Sequence, residues 1–251
     1  IKKKKNREKI ICLTAYSKNI AEIIDKHCDI VLVGDSLGSV LYNYNTTRKV
    51  TLSNMIEHSI SVKKAIKKSL MVVDMPYKTY RNKSEALKNA KKIIRLTKCD
   101  AVKLEGGLHV AKIIKHLIKN KIQVMGHLGI LPQSVRGSFK FKGRNEKEKK
   151  KLLKEAKVLE KIGVFSIVLE CIKPITASLI TKSIKIPTIG IGSSSICDGQ
   201  VLVTDDLLGL NETKIKFVKK FINLKKIIND VIKNFKKEVK LKKYPSKKYS
   251  Y

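Results

Sequence analysis

Residues 28–38 read CDIVLVGDSLG, an unbroken apolar run, Ile30-Val31-Leu32-Val33, closed by a glycine and an acid. Apolar side chains occupy both parities of this run. A strand here must therefore be buried on both faces, the pattern of a parallel sheet covered by helices. Residues 99–105 repeat the design as CDAVKLE, again opening on Cys-Asp and ending in an acid, Glu105. Runs of the same kind stand at 10–16, 70–75, 122–128, 166–171, 187–192 and 200–204.

Amphipathic stretches separate most of these runs. Ser53 is positioned to cap a helix reaching residue 68, Ser84 opens one reaching 98, and residues 110–118 carry apolar side chains at helical spacing. Residues 145–162 form a long charged helical pattern, and Gly163 is placed to stop it. Strand–helix alternation repeated about eight times predicts an α/β fold, a (β/α)8 TIM barrel. An open doubly wound sheet is the alternative. The 251 residues suit one barrel domain spanning 1–251, with a lysine-rich tail from about residue 236. The connection at 132–144 is long enough to be functional.

Lys and Arg number 55 against 21 Asp and Glu, a formal net charge of +34. That balance invites a nucleic-acid reading, but only six of the basic residues are arginine: Arg7, Arg48, Arg81, Arg95, Arg136 and Arg144. Readers of nucleic acid favour arginine, whose planar fork matches phosphate and guanine. Lysine spread over helix faces together with Ile and Asn points to compositional bias, so no specific nucleic-acid partner is expected. No apolar run approaches the ~20 residues of a membrane-spanning helix, and no membrane partner is expected. The short apolar segment at 10–15 is cut by Lys18, against a secretory signal. The five cysteines, Cys12, Cys28, Cys99, Cys171 and Cys197, form no CxxC pair and suit a reducing cytoplasm.

A parallel barrel carries its site at the carboxyl ends of its strands. Asp35, Asp74, Glu105 and Glu170 fall there, on the second, third, fourth and sixth expected strands. Any one of them could be a helix cap or turn residue. Adjacent strands lie ~4.8 Å apart, so acids on successive strand ends crowd together. Crowded carboxylates must take up protons or bind a cation. All-oxygen ligation favours Mg2+ or a similar hard ion. Lys103 precedes Glu105 by two residues and shares its strand face. It needs an anionic partner there, either a carboxylate of the protein or the charge of a substrate. The turn Gly34-Asp35-Ser36-Leu37-Gly38 offers backbone room, a ligand and a hydroxyl. His127, at another strand end, is a possible site-lining residue or a structural one. His27, His58, His109 and His116 read as ordinary surface or packing residues.

Several motifs in order, LTAY from Leu13, LVGDSLG from Leu32, VDMPY from Val73, AVKLEGG from Ala101, MGHLGILPQSV from Met125, KGR from Lys142, VLEC from Val168 and IPTIGIG from Ile186, closely resemble the ketopantoate (3-methyl-2-oxobutanoate) hydroxymethyltransferase family. The resemblance runs from about Lys9 to about Val218. It implies a phosphoenolpyruvate/pyruvate-like (β/α)8 barrel that transfers a one-carbon unit from 5,10-methylenetetrahydrofolate to 3-methyl-2-oxobutanoate, in pantothenate and coenzyme A synthesis. It further implies Asp35, Asp74 and Glu105 as the Mg2+ ligands, with Asp35, Ser36, Asp74 and Lys103 holding the keto acid. Glu170 would be the proton acceptor, and the protein a cytoplasmic homo-oligomer. The chain departs from the family's pattern at Asn45, at Ser193 and at Asp205, away from these ligands. Another Mg2+-dependent enolate-forming barrel, a lyase or mutase of 2-keto acids, is the enzymatic alternative. A basic nucleic-acid-binding protein is the remote one.

Overall fold

Eight strands form a closed, wholly parallel barrel in sequence order, β1 to β8, with β8 returning to β1. The computed structural model describes residues 1–134, 140–212 and 215–251. The strands are β1 (Ile10–Thr14), β2 (Ile30–Val33), β3 (Leu70–Asp74), β4 (Ala101–Glu105), β5 (Val124–Gly129), β6 (Ser166–Glu170), β7 (Thr188–Ile191) and β8 (Gly199–Leu202). Closure settles the choice between barrel and open sheet, because no strand is left with an unpaired edge.

Helices cover the outer face: α1 (Lys18–Ile24), α2 (Leu37–Tyr42), α3 (Leu52–Lys63), α4 (Lys83–Thr97), α5 (Ala111–Lys119), α6 (Glu146–Ile162) and α7 (Pro174–Ser183). β7 reaches β8 without a helix between them. Local chemistry sets the ends. The Asn82 and Asn145 side chains accept the backbone N–H of Glu85 and Glu148, capping α4 and α6. Gly163, at φ 100°, ends α6 as expected.

The cap of α3 differs from the sequence expectation. It is Thr51, not Ser53, locked in a reciprocal capping box with Asn54. The helix also stops at Lys63, short of residue 68. Asp25 shapes the chain beyond it: its carboxylate accepts the N–H groups of Lys67, Lys68 and Ser69 and holds the turn into β3. Burial opposes the charge of Asp25, but the Ser69, Lys67 and Lys68 N–H groups outweigh it and hold the carboxyl below its ordinary 3.8. A depressed acid contributes stability above its unfolded value, lost as pH falls through the lower folded one. Asp25→Ala is therefore expected to destabilise by about 1–3 kcal/mol at pH 7, with a narrower gap to wild type at pH 3, below the ordinary carboxyl value. Urea midpoints at both pH values check this, and an equal gap at both would count against it.

Two cores follow from strand parity. Outward-facing residues such as Val31, Met71, Leu104 and Ile167 pack against the helices. Inward-facing residues, Ile10, Ile30, Val72, Ala101, Met125, Val168 and Ile189 among them, fill the barrel. Each fully buried large side chain contributes about 1.5–3 kcal/mol.

The chain divides into two compact units, Ile1–Val203, which holds the barrel, and Thr204–Tyr251. The second contains α8 (Thr204–Leu207) and α9 (Leu224–Lys240), so helix continues past residue 236. Ile227, Ile228, Val231, Ile232, Phe235 and Val239 form an apolar stripe along α9, and all are exposed. Among the described residues no helix is long and apolar enough to cross a membrane.

Candidate active site

The interior rows of the barrel change character at their carboxyl ends. Val72 is followed two residues later by Asp74, Ala101 by Lys103 and then Glu105, Met125 by His127, and Val168 by Glu170. Strand parity thus puts an ionisable layer directly above the apolar filling. The register aligns Asp74 with Lys103, Glu105 with His127 and Glu170 with Gly129. Asp35 joins from the turn after β2. Gly34 leaves room for the Ser36 hydroxyl beside it, since a Cβ there would stand 2.9 Å from Ser36 Oγ.

These groups are tied to one another. Lys103 Nζ lies 2.6 Å from Asp74 Oδ1, an ion pair off the ideal hydrogen-bond line. Asp74 Oδ2 accepts the backbone N–H of Asp35 at 3.1 Å. Gln133 donates its Nε2 to Asp35 Oδ2 at 2.8 Å and to the Met75 carbonyl at 3.0 Å. Its backbone N–H donates to Glu105 Oε2 at 3.0 Å. Tyr80 donates its hydroxyl to Gln133 Oε1 at 2.5 Å. Ser36 Oγ shares a 2.8 Å hydrogen bond with the Tyr16 hydroxyl.

The electrostatics follow from burial. Asp35, Asp74, Lys103, Glu105 and His127 are each at most 5% exposed, whereas the Glu170 side chain is 19% exposed. Burial, then the neighbouring Asp74, pushes Asp35 up to about 7. Burial and Asp35 push Glu105 well above its ordinary value. Burial works against the Lys103 ammonium, but Asp74, Glu105 and Asp35 together hold its pKa above the ordinary range. Burial, helped by Lys103, lowers His127, so its ring is neutral near pH 7. His127 Nε2 lies 3.2 Å from Glu170 Oε2 and Nδ1 3.7 Å from Glu105 Oε1, neither well aligned as a hydrogen bond.

The donor chemistry suits a hard cation. The oxygens are buried carboxylates, and among the described residues Asp35 Oδ1 and Glu105 Oε1 accept no hydrogen bond. Both acids resist ionisation without added positive charge, which a divalent ion supplies. Among the described residues no three acidic, His or Cys side chains are already closed into a cage. Asp74 in particular has both oxygens engaged.

Every residue singled out in the sequence, Asp35, Ser36, Asp74, Lys103, Glu105, His127 and Glu170, stands at the same mouth. Of the two partners the sequence leaves open for Lys103, a carboxylate of the protein or a substrate's charge, the structure supplies the first, Asp74. Ser193, a departure from the family pattern, donates its hydroxyl to the Leu169 carbonyl at 2.5 Å and so braces the strand end that carries Glu170. Asp205 opens α8, in the other unit, and burial raises its pKa. Sequence reasoning missed Gln133, Tyr80 and Tyr16. Gln133 and Tyr16 lie inside quoted motifs, but nothing in their spacing marks them as contacts. Residues 135–139 of the long connection lie outside the described residues.

A sequence model of the ketopantoate hydroxymethyltransferase family matches residues 1–247. The chain is 66% identical over 249 residues to the 3-methyl-2-oxobutanoate hydroxymethyltransferase of Pelagibacter ubique (strain HTCC1062), covering 99% of this chain and 96% of that one. It is 45% identical over 253 residues to the enzyme of that name from Anaplasma marginale (strain St. Maries), covering 100% and 91%. Among solved structures, phosphonopyruvate hydrolase complexed with oxalate and Mg++ superposes with a TM-score of 0.63 at 9% identity, covering 99% and 91%. A 2,3-dimethylmalate lyase of the PEP mutase/isocitrate lyase superfamily does so at 0.59 and 11%, covering 94% and 93%. The two structures share the barrel fold, and the sequence matches assign the chain: it belongs to the ketopantoate hydroxymethyltransferase family of enzymes.

Proposed function

We propose that the protein is a 3-methyl-2-oxobutanoate hydroxymethyltransferase, forming 2-dehydropantoate for pantothenate synthesis from the keto acid and 5,10-methylenetetrahydrofolate. The observation that carries this is the division of labour among the acids: Asp35, Asp74 and Glu105 are buried around Lys103, while Glu170 stands apart and accessible. Buried acids suit a cation, and an accessible acid suits a base.

Asp35, Asp74 and Glu105 would hold Mg2+. Bound there, the ion supplies Lewis acidity, polarising the keto carbonyl and offsetting charge that builds on its oxygen. Asp35, Ser36, Asp74 and Lys103 would orient the keto acid, with the ammonium offsetting its carboxylate. Tyr16 fixes the Ser36 hydroxyl for this task. Glu170 would accept the C3 proton. His127, neutral beside it, does not hold a competing positive charge against the carboxylate. The resulting C3 nucleophile bonds to the one-carbon unit, water supplies its hydroxyl oxygen, and the two C–N bonds to the folate break to release tetrahydrofolate, whose nitrogens take up the former C3 proton and one proton of the water.

The test is proton exchange. Purified protein with Mg2+ in D2O is expected to erase the C3–H NMR signal of the keto acid, and to form ketopantoate when methylenetetrahydrofolate is added. Neither exchange nor product would overturn the reading. The free state of all five cysteines supports a cytoplasmic setting. The exposed apolar stripe of α9 supports self-association, and a light-scattering mass equal to one chain would refute it.

A further inference from the structure

Gln133 lies outside the barrel, four residues past the end of β5, yet it is only 2% exposed and touches two of the proposed cation ligands at once. Its side chain holds Asp35 Oδ2 and its backbone holds Glu105 Oε2. These acids come from the ends of β2 and β4, and no direct bond joins them among the described residues. Each is left with one oxygen that accepts nothing from the described chain, Asp35 Oδ1 and Glu105 Oε1.

The direction of the Gln133 amide is determined. Tyr80 can only donate to Oε1 while its own proton points there, and Nε2 faces two acceptors, the Asp35 carboxylate and the Met75 carbonyl. Flipping the amide would set Oε1 against both acceptors and leave the Tyr80 hydroxyl facing an N–H group. The two Nε2 contacts therefore fix this orientation, and the Tyr80 hydroxyl, which can donate or accept, donates to Oε1 within it. Tyr80 is itself held in the loop after β3, so the chain Tyr80–Gln133–Asp35 links the loops after β3, β5 and β2.

We infer that Gln133 is a positioning residue for the divalent cation, with Tyr80 orienting it: together they pin one oxygen of Asp35 and one of Glu105 so that the other oxygen of each is presented to the ion. This deepens the proposed function and rests on its assignment of Asp35 and Glu105 as ligands. The role is set by partners of ligands, which commonly affect metal affinity by about 10–100-fold.

The experiment measures cation binding directly, with Mn2+ as an EPR-visible probe and Mg2+ in competition, on full-length wild type, Gln133→Met and Tyr80→Phe. Gln133→Met keeps length and volume, removes the side-chain donor to Asp35, and leaves the backbone donor to Glu105 in place. Its Mn2+ dissociation constant is expected to rise about 10–100-fold. Proton exchange should fall at low Mg2+ and recover at saturating Mg2+. Tyr80→Phe removes one hydroxyl and is expected to weaken Mn2+ binding by about 3–10-fold; it carries the test should Gln133→Met fail to fold. A residue that merely supported the fold would lower the thermal midpoint in EDTA without moving the dissociation constant of the folded protein. Wild-type affinity in a folded variant overturns this inference while leaving the proposed function standing. Absence of Mn2+ binding by the wild type overturns the metal assignment beneath both.

Discussion

Glu170→Gln is expected to slow exchange of the C3 proton by about 10²–10⁴-fold, the range for loss of a general base. The substitution preserves size and removes only the capacity to take a proton. Glu170 ends β6, and its side chain is 19% exposed, against 4% for that of Asp74 and 3% for that of Glu105. It also lacks the ion pair that occupies Asp74. The proposed cation ligands are untouched, so keto-acid binding in the presence of Mg2+ should stay within a few-fold of wild type. Exchange followed by NMR and binding followed by calorimetry separate the two effects. Turnover equal to wild type would remove Glu170 from the role of base. Loss of binding in step with loss of exchange would assign it to substrate retention instead.

Lys103→Met is expected to damage stability and activity together. Among the described residues Lys103 is the one basic side chain beside Asp35, Asp74 and Glu105, and its ammonium is 2.6 Å from Asp74 Oδ1. Removing it strands a buried charge, at about 3–5 kcal/mol for such a pair. For a chain of this size that lowers the melting midpoint by very roughly 6–20 °C. The double variant Asp74→Asn/Lys103→Met takes away the stranded charge as well. It should regain much of the stability while remaining inactive, because both groups are proposed to hold the keto acid. Calorimetric melting of the two single variants and the double gives the coupling directly. A double variant no more stable than Lys103→Met would show that Asp74 is not the charge that matters.

Much of this was legible in the sequence for a simple reason. A strand buried on both faces must be apolar at both parities, so Ile30–Val33 and Ala101–Glu105 announce a parallel sheet. Polar interruptions in such runs, at Lys103 and Glu105, then stand out as site residues. The resemblance assigned roles that spacing alone left open. What stayed hidden depended on contacts between distant loops. Gln133 meets Asp35 across 98 residues of chain, and Tyr80 meets Gln133 across 53. No local periodicity encodes such a meeting. The misplaced start of α3 has the same character at shorter range. Thr51 and Ser53 are both capping residues, and the reciprocal bond to Asn54 decides between them.

The alternation of inward and outward residues along β4 also constrains how such a chain can change length. Deleting Ala101 would turn Val102 and Leu104 inward and press Lys103 and Glu105 against the helices. Substitutions can accumulate one at a time, as the lysine-laden exterior illustrates. Insertions and deletions inside these strands cannot, because a single step exchanges core and catalytic layer together. Lineages of this barrel should therefore vary in length at the loops and keep their strands in frame.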